Sequence, residues 1–357
     1  MNFESFLGNA DAAAAVREML ASGHVPGALL FTGPDGVGKK TLAEMLAKAL
    51  NCERPSGDGS FCGECAPCRK VDEMLAASRD DLARRRELKD AGKRVEGLVY
   101  FDVQLIEPIT RYILTEQIRE LRRVAYAHPF ELRRRVFIID QAQAIHWQAV
   151  DLLLKVLEEP PDSTTLVLVC PNAYELRPTI RSRCRRVQFV PVPDSLISEL
   201  LACEARVPPA QRTIVARLAA GSVSKALTFD LAAYLERRQP WLDFLESVSA
   251  QPGSPANWNA LFDAVKSLTA KRDEFEATLG IGYDLLQDLV QALESAEPRV
   301  SDPELLPRLK GWAGRLRLTG ISTLKNGLDE AYRLQIRNVN QQLGFEALAV
   351  ELAGQSG

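Results

Sequence analysis

The strongest constraint on this chain is Gly33-Pro-Asp-Gly36-Val-Gly38-Lys39, a glycine-rich turn between the apolar run Ala28-Leu-Leu-Phe31 and the amphipathic stretch Thr41 to Asn51. Leu42, Met45, Leu46, Ala49 and Leu50 recur at i, i+3, i+4, i+7 and i+8, so one apolar helical face stands directly behind the turn. Strand, glycine loop and helix in that order describe a phosphate-binding loop, in which backbone N–H groups cradle phosphates and the lysine reaches the outer ones. A plain glycine turn between a strand and a helix is the competing reading of the same string. The hydroxyl that normally ligates Mg²⁺ after the lysine is missing: Lys40 stands there, and Thr41 could replace it only after a register shift.

The 357 residues suffice for two or three domains with separate cores. No apolar run approaches the roughly 20 residues of a membrane span, and Met1-Asn-Phe-Glu-Ser lacks the basic and apolar regions of a signal peptide, so a cytoplasmic protein is expected. A net charge of -3 argues against a free-standing nucleic-acid binder that works by bulk electrostatics.

Cys52, Cys62, Cys65 and Cys68 form a C-x9-C-x2-C-x2-C cluster, which in a reducing compartment points to a zinc site rather than a disulfide framework. No histidine is nearby to suggest an open catalytic position, so the expected ion is structural Zn²⁺. Free thiols are the alternative there, and the expected state of Cys170, Cys184 and Cys203.

Beyond the cysteines, Ser78 to Gly97 is rich in charge, with Arg84-Arg-Arg86 inside it, and reads as a solvated helix or mobile insertion. Strands are expected at Leu98 to Ile106, Val136 to Ile139 and Leu166 to Val169, with helices at Thr115 to Ala127 and Ala149 to Glu158, the latter stopped by Pro160-Pro161. This alternation predicts a parallel α/β sheet flanked by helices over 1–190, with a zinc-binding insertion at 52–68 and a charged insertion at about 76–98. Pro191-Val-Pro193 breaks the chain; a small helical domain (191–235) and a larger all-α domain (236–357) follow, with Pro240 and Gln251-Pro-Gly-Ser-Pro255 near the start of the last.

Asp140 ends its strand where an ATPase of this type holds the Mg²⁺ shell, but the neighbour that should be a water-activating Glu is Gln141. A neutral amide can orient water and cannot accept its proton. Asp140 could also simply cap the following turn. Further on, Arg177-Pro-Thr-Ile-Arg181-Ser182-Arg183-Cys184-Arg185-Arg186 reads, on charge alone, as a solvated basic loop.

Ser182-Arg183-Cys184, Leu153-Leu-Lys-Val-Leu-Glu158-Glu-Pro160-Pro161, the four cysteines after the loop helix, and His128-Pro-Phe130 before Arg133-Arg-Arg135 together resemble bacterial clamp-loader subunits of the AAA+ superfamily, most closely the delta prime family of DNA polymerase III. The resemblance extends to Asn338-x-Asn340-x-x-Leu343-x-x-Glu346-x-Leu348 and leaves only the charged insertion without a counterpart. It implies an AAA+ domain, a helical lid and a C-terminal helical collar that joins the subunits. It also implies that Arg183 is an arginine finger for ATP bound by an adjacent subunit. Implied partners are gamma/tau-type ATPase subunits, a delta subunit, the beta sliding clamp and, through the assembly, primer-template DNA. In the family's ATPase subunits a Gly-Ser motif carries a sensing arginine; here Gly221-Ser222-Val-Ser224-Lys225-Ala-Leu227 places Ser224 at that position. Gly33, Gly36, Gly38, Lys39, Thr41 and Asp140 would then be a degenerate nucleotide site, doubtful for ATP or ADP, with Lys40 and Gln141 as its departures. The rival expectations are an ATP-hydrolysing gamma/tau-type subunit, or a zinc-containing module that binds DNA through Arg84 to Arg86, Arg133 to Arg135 and Arg181 to Arg186.

Overall fold

A computed structural model describes residues 3–88, 101–204, 207–249, 258–335 and 341–355. The chain divides into two compact units, Met1–Ile197 with Gly221–Lys225, and Ser198–Ala220 with Ala226–Gly357.

In the first unit, β1 (Ala28–Thr32), β2 (Val103–Ile106), β3 (Arg135–Ile139), β4 (Thr164–Cys170) and β5 (Arg185–Gln188) form one sheet in the order β2-β3-β4-β1-β5. All pairings are parallel, with Leu30 opposite Leu168 and Phe137 opposite Leu166. Every residue of β1, β3 and β4 is buried, as a sheet covered on both faces requires. The period of two then sorts the side chains. Leu29, Phe31, Val136, Ile138, Val167 and Val169 join the core behind α2 (Lys39–Asn51) and α3 (Ala66–Leu88), whereas Leu30, Phe137, Ile139, Leu166 and Leu168 face α4 (Thr115–Ala125) and α5 (Val150–Glu158). This unit also contains α1 (Ala10–Ala21) and α6 (Pro178–Arg181). Because the strands are parallel, all five carboxyl ends lie on one edge, and that edge carries the glycine loop, Glu107 and Asp140.

Several expectations are corrected. The strand expected from Leu98 begins at Val103; Leu98 to Tyr100 lie outside the described residues, and so do residues 89–97 of the charged insertion. The described part of that insertion is helical and largely exposed, one of the two forms expected, but one side of it is packed. It continues α3, whose Ser78 is buried with its Oγ 3.0 Å from both the amide N and the carbonyl O of Leu105, and whose buried Arg85 pairs with Asp81 at 2.7 Å. Arg135, read as part of a basic cluster, is 2% exposed and joined at 2.9 Å to the fully buried Asp102. The Asp102 carboxylate also accepts the N–H groups of Phe130, Glu131 and Leu132, and Arg135 donates to the carbonyls of Val124, Ala127 and His128. The pair fixes the turn between α4 and β3 from both sides. Asp102→Asn keeps the shape, leaves a buried guanidinium uncompensated, and is expected to cost about 3–5 kcal/mol in urea unfolding. A cost below about 1 kcal/mol would show that the turn does not depend on the pair.

All the regular structure among the second unit's described residues is helical. Its helices include α8 (Pro209–Leu218), α10 (Leu231–Val248), α11 (Trp258–Leu268), α12 (Phe275–Glu294), α13 (Leu306–Gln335) and α14 (Gln341–Gln355), while α7 (Asp194–Cys203) and α9 (Val223–Leu227) cross its boundaries. Pro240, expected near the start of a third section, lies inside α10. Gln251 to Pro255, Asn338 and Asn340 lie outside the described residues. Trp241 anchors the core: its ring centroid is 5.7 Å from that of Phe345, its Nε1 donates to the Thr278 carbonyl at 2.8 Å, and a Cβ on Gly282 would come within 2.6 Å of it.

Buried Asp288 on α12 accepts from the Ser301 amide at 2.8 Å, but burial outweighs that bond and pushes its carboxyl up to about 6. The native carboxyl therefore holds a proton that the unfolded chain releases between pH 4 and 6, so stability declines as pH rises through that window and stays lower above it. Asp288→Asn retains the acceptor and is expected to gain about 1–3 kcal/mol at pH 7 and about a third of that at pH 4.5. Urea unfolding at both pH values measures this; equal gains would mean that the carboxyl is not the cause.

Candidate functional site

The glycine loop leaves the carboxyl end of β1 and enters α2 at Lys39, as the motif requires. Gly36 (φ 74°) and Gly38 (φ 98°) hold left-handed backbone that a side chain would strain. Both are also crowded. A Cβ on Gly36 would overlap Ser222 Oγ, and one on Gly38 would lie 2.8 Å from the Phe6 ring. Gly221–Lys225 packs on the loop from above, with the Ser224 amide donating to the Gly36 carbonyl at 3.1 Å. Gly33 (φ 149°) lies against the Phe189 backbone.

Lys39 is buried and turned inward, its Nζ donating to the carbonyls of Gly33 and Pro34 and lying 3.6 Å from Asp35. Burial lowers its pKa against the opposing pull of Asp35 and Asp140. Lys40 points to the sheet edge, where its Nζ stands 2.5 Å from Glu107 Oε1 and 3.6 Å from Asp140 Oδ2. Arg86 of α3 holds the other Glu107 oxygen at 2.8 Å. Burial pushes the Glu107 carboxyl up, but Lys40 and Arg86 overcome it and the net shift is downward. At Asp140 burial wins over the attraction of Lys40, and the pKa is raised. Gln141 has left-handed backbone (φ 54°, ψ 48°) and is exposed beside Asp140. Thr41 lies in the first turn of α2, half-buried. Glycines, Lys39 and Asp140 are thus brought together as the sequence predicts, but the donor set does not fit a hydrated Mg²⁺: an ammonium stands at the position that should offer a hydroxyl oxygen. Glu107 belongs to no motif, and only the parallel pairing of β2 with β3 reveals it.

The four cysteines do converge. Their sulfurs all lie within 4.8 Å of one another, with Cys52–Cys62 at 3.6 Å and Cys52–Cys65 at 3.9 Å. A tetrahedral Zn–S shell of about 2.3 Å places sulfurs about 3.8 Å apart, so the residues fit zinc. Cys52 ends α2 and Cys68 lies in the first turn of α3, so an ion there would join the two helices. Amide donors of Glu64 and Cys65 draw the exposed Cys62 thiol down to about 6, while burial raises Cys52 and Cys68.

Arg183 lies on the opposite edge of the sheet, just before β5, whose first residue Arg185 pairs with Leu29 near the start of β1. Its guanidinium is exposed, 2.7 Å from Glu158 Oε1 at the end of α5 and 3.0 Å from the Thr179 carbonyl. Glu158 also lines a cleft with Arg119, Arg122, Arg123, Tyr126 and Lys155. Sequence reasoning missed this cleft; its signal was the basic side of α4. Arg181 lies over the Tyr174 ring at 4.8 Å, and Arg186 donates to Thr32 Oγ1.

Residues 8–193 match the family model described as DNA polymerase III, delta subunit. The chain belongs to that family. Among curated relatives, DNA polymerase III subunit delta' of Pseudomonas aeruginosa is 33% identical over 48% of this chain and 45% of its own length. The gamma/tau subunit of Mycobacterium tuberculosis is 31% identical over 57% and 31%, and the tau subunit of Bacillus subtilis 27% over 52% and 29%. The chain thus spans less than half the length of each of these relatives. A Thermotoga maritima protein related to the DNA polymerase III gamma subunit superposes over 96% of this chain and 99% of its own at a TM-score of 0.43 and 16% identity. The delta-subunit family thus accounts for the stretch from α1 through β5, which contains the loop, the cysteines and Arg183.

Proposed function

We propose that the chain is a non-motor, delta-prime-like subunit of the DNA polymerase III clamp loader that supplies Arg183 to a neighbouring ATPase subunit. The supporting observation is the placement of Arg183 at the amino edge of the sheet whose carboxyl edge holds the chain's own loop. Five strand residues separate the two edges by about 15 Å, so the guanidinium serves phosphates held by another chain. The loop beside Lys40 and Gln141 lacks both the metal ligand and the general base, in keeping with a subunit that does not hydrolyse ATP.

On this reading the helices of 236–357 form the collar and those of 191–235 the lid, and the partners are gamma/tau-type ATPases, delta, the beta sliding clamp and primer-template DNA. No helix among the described residues is long and apolar enough to cross a membrane, which accords with work in the cytoplasm. The test is the ATPase rate of gamma-type subunits with delta, clamp and primed DNA, with and without this chain; addition is expected to raise it. No change would remove the assignment. The gamma/tau reading, favoured by the gamma/tau names among the relatives, instead requires the lone chain to hydrolyse radiolabelled ATP.

A further inference from the structure

We infer that Lys40 is a tethered cation that takes the place of a divalent metal at the loop and keeps the site from recruiting one. The inference rests on the reading of the chain as a subunit that does not hydrolyse ATP, and it gives that reading a physical basis. Three elements converge on the ammonium: α2 supplies it, the end of β2 supplies Glu107 at 2.5 Å, and the end of β3 supplies Asp140 at 3.6 Å. Arg86 of α3 pins the far side of Glu107 through its second oxygen and also donates to the Pro108 carbonyl at 3.1–3.2 Å.

Two carboxylates at the carboxyl edge of a parallel sheet, facing the start of a glycine-loop helix, are hard oxygen donors of the kind that hold Mg²⁺ or Mn²⁺. Here a covalently attached charge already serves them, and no ion from solution is needed to balance it. A metal arriving at Asp140 would face Lys40 at close range and would have to break the Glu107 pair to find a second oxygen. The same pair ties α2 to the ends of β2 and β3 permanently, a linkage that a bound metal would otherwise make only while nucleotide is present.

The test uses the full zinc-loaded chain and Mn²⁺ alone, followed by the electron paramagnetic resonance signal of free Mn²⁺. Wild type is expected to show no Mn²⁺ site dependent on Asp140. Lys40→Thr, which restores a hydroxyl and frees both carboxylates, is expected to bind one Mn²⁺ at least tenfold more tightly than wild type. Lys40→Arg should behave as wild type, and adding Glu107→Gln to Lys40→Thr should remove most of the gain. Thermal melting establishes that each variant is folded, and Lys40→Ser serves as the second variant if Lys40→Thr is not. The inference fails if neither folded variant gains a site, or if wild type binds Mn²⁺ equally well and loses it with Asp140→Asn. Arg183-dependent stimulation of a neighbour does not enter this readout, so failure of this inference can be told from failure of the proposed function.

Discussion

Replacing Arg183 by alanine is expected to lower ATP turnover at the neighbouring site by about 10³- to 10⁵-fold, the usual effect of losing an arginine finger supplied in trans. The whole-assembly rate would fall by that site's share if the sites fire independently, and to the level without this chain if they fire together. Arg183→Lys should recover little, because an ammonium keeps the charge but lacks the planar fork that spans two phosphate oxygens. Glu158→Gln makes a useful companion: it removes the charged partner 2.7 Å from the guanidinium and leaves Arg183 in place. Assembly must be checked by gel filtration in each case. If alanine supports stimulation as well as arginine does, the chain contributes to the clamp loader only through its architecture.

The second large effect is expected on removing zinc. Structural zinc contributes on the order of 10 kcal/mol in peptides that have no other core. The segment between Cys52 and Cys65 has further supports, since the Phe61 ring lies 5.6 Å from that of Phe3 and Arg17 pairs with Asp58. Global unfolding is therefore not expected. A strong chelator, or Cys65→Ser, should release one Zn²⁺ per chain by mass spectrometry, lower the melting temperature and open residues 53–64 to proteolysis. Retention should weaken as pH falls, because the cysteines bind as thiolates and protons compete with the ion for them. A purified chain without zinc that melts and resists protease like the loaded one would leave four ordinary thiols.

The glycine loop and the cysteine cluster were legible because each is local. Gly33 to Lys39 is fixed by backbone conformation, and C-x9-C-x2-C-x2-C by the reach of a few residues around one ion. Buried strands such as Val136 to Ile139 were legible because a sheet covered on both faces leaves an uninterrupted apolar run. Glu107 was not, since it meets Lys40 across 67 positions of sequence and only the strand order brings them together. Arg135 was misread for a related reason. Three consecutive arginines look like a surface patch, and nothing local shows that the third opens a buried strand and turns toward Asp102, 33 positions earlier. The edge assignment of Arg183 likewise needed the parallel register of β5 with β1.

The return of Gly221–Lys225 to the glycine loop bears on how this chain can be divided. Its first folding unit is discontinuous in sequence, so a fragment cut after Ile197 would contain all five strands yet lose the amide that satisfies the Gly36 carbonyl and the serine that covers it. Fragments intended for nucleotide or metal titration should run through Lys225, and the interval 198–220 is better shortened by a linker than used as an end point.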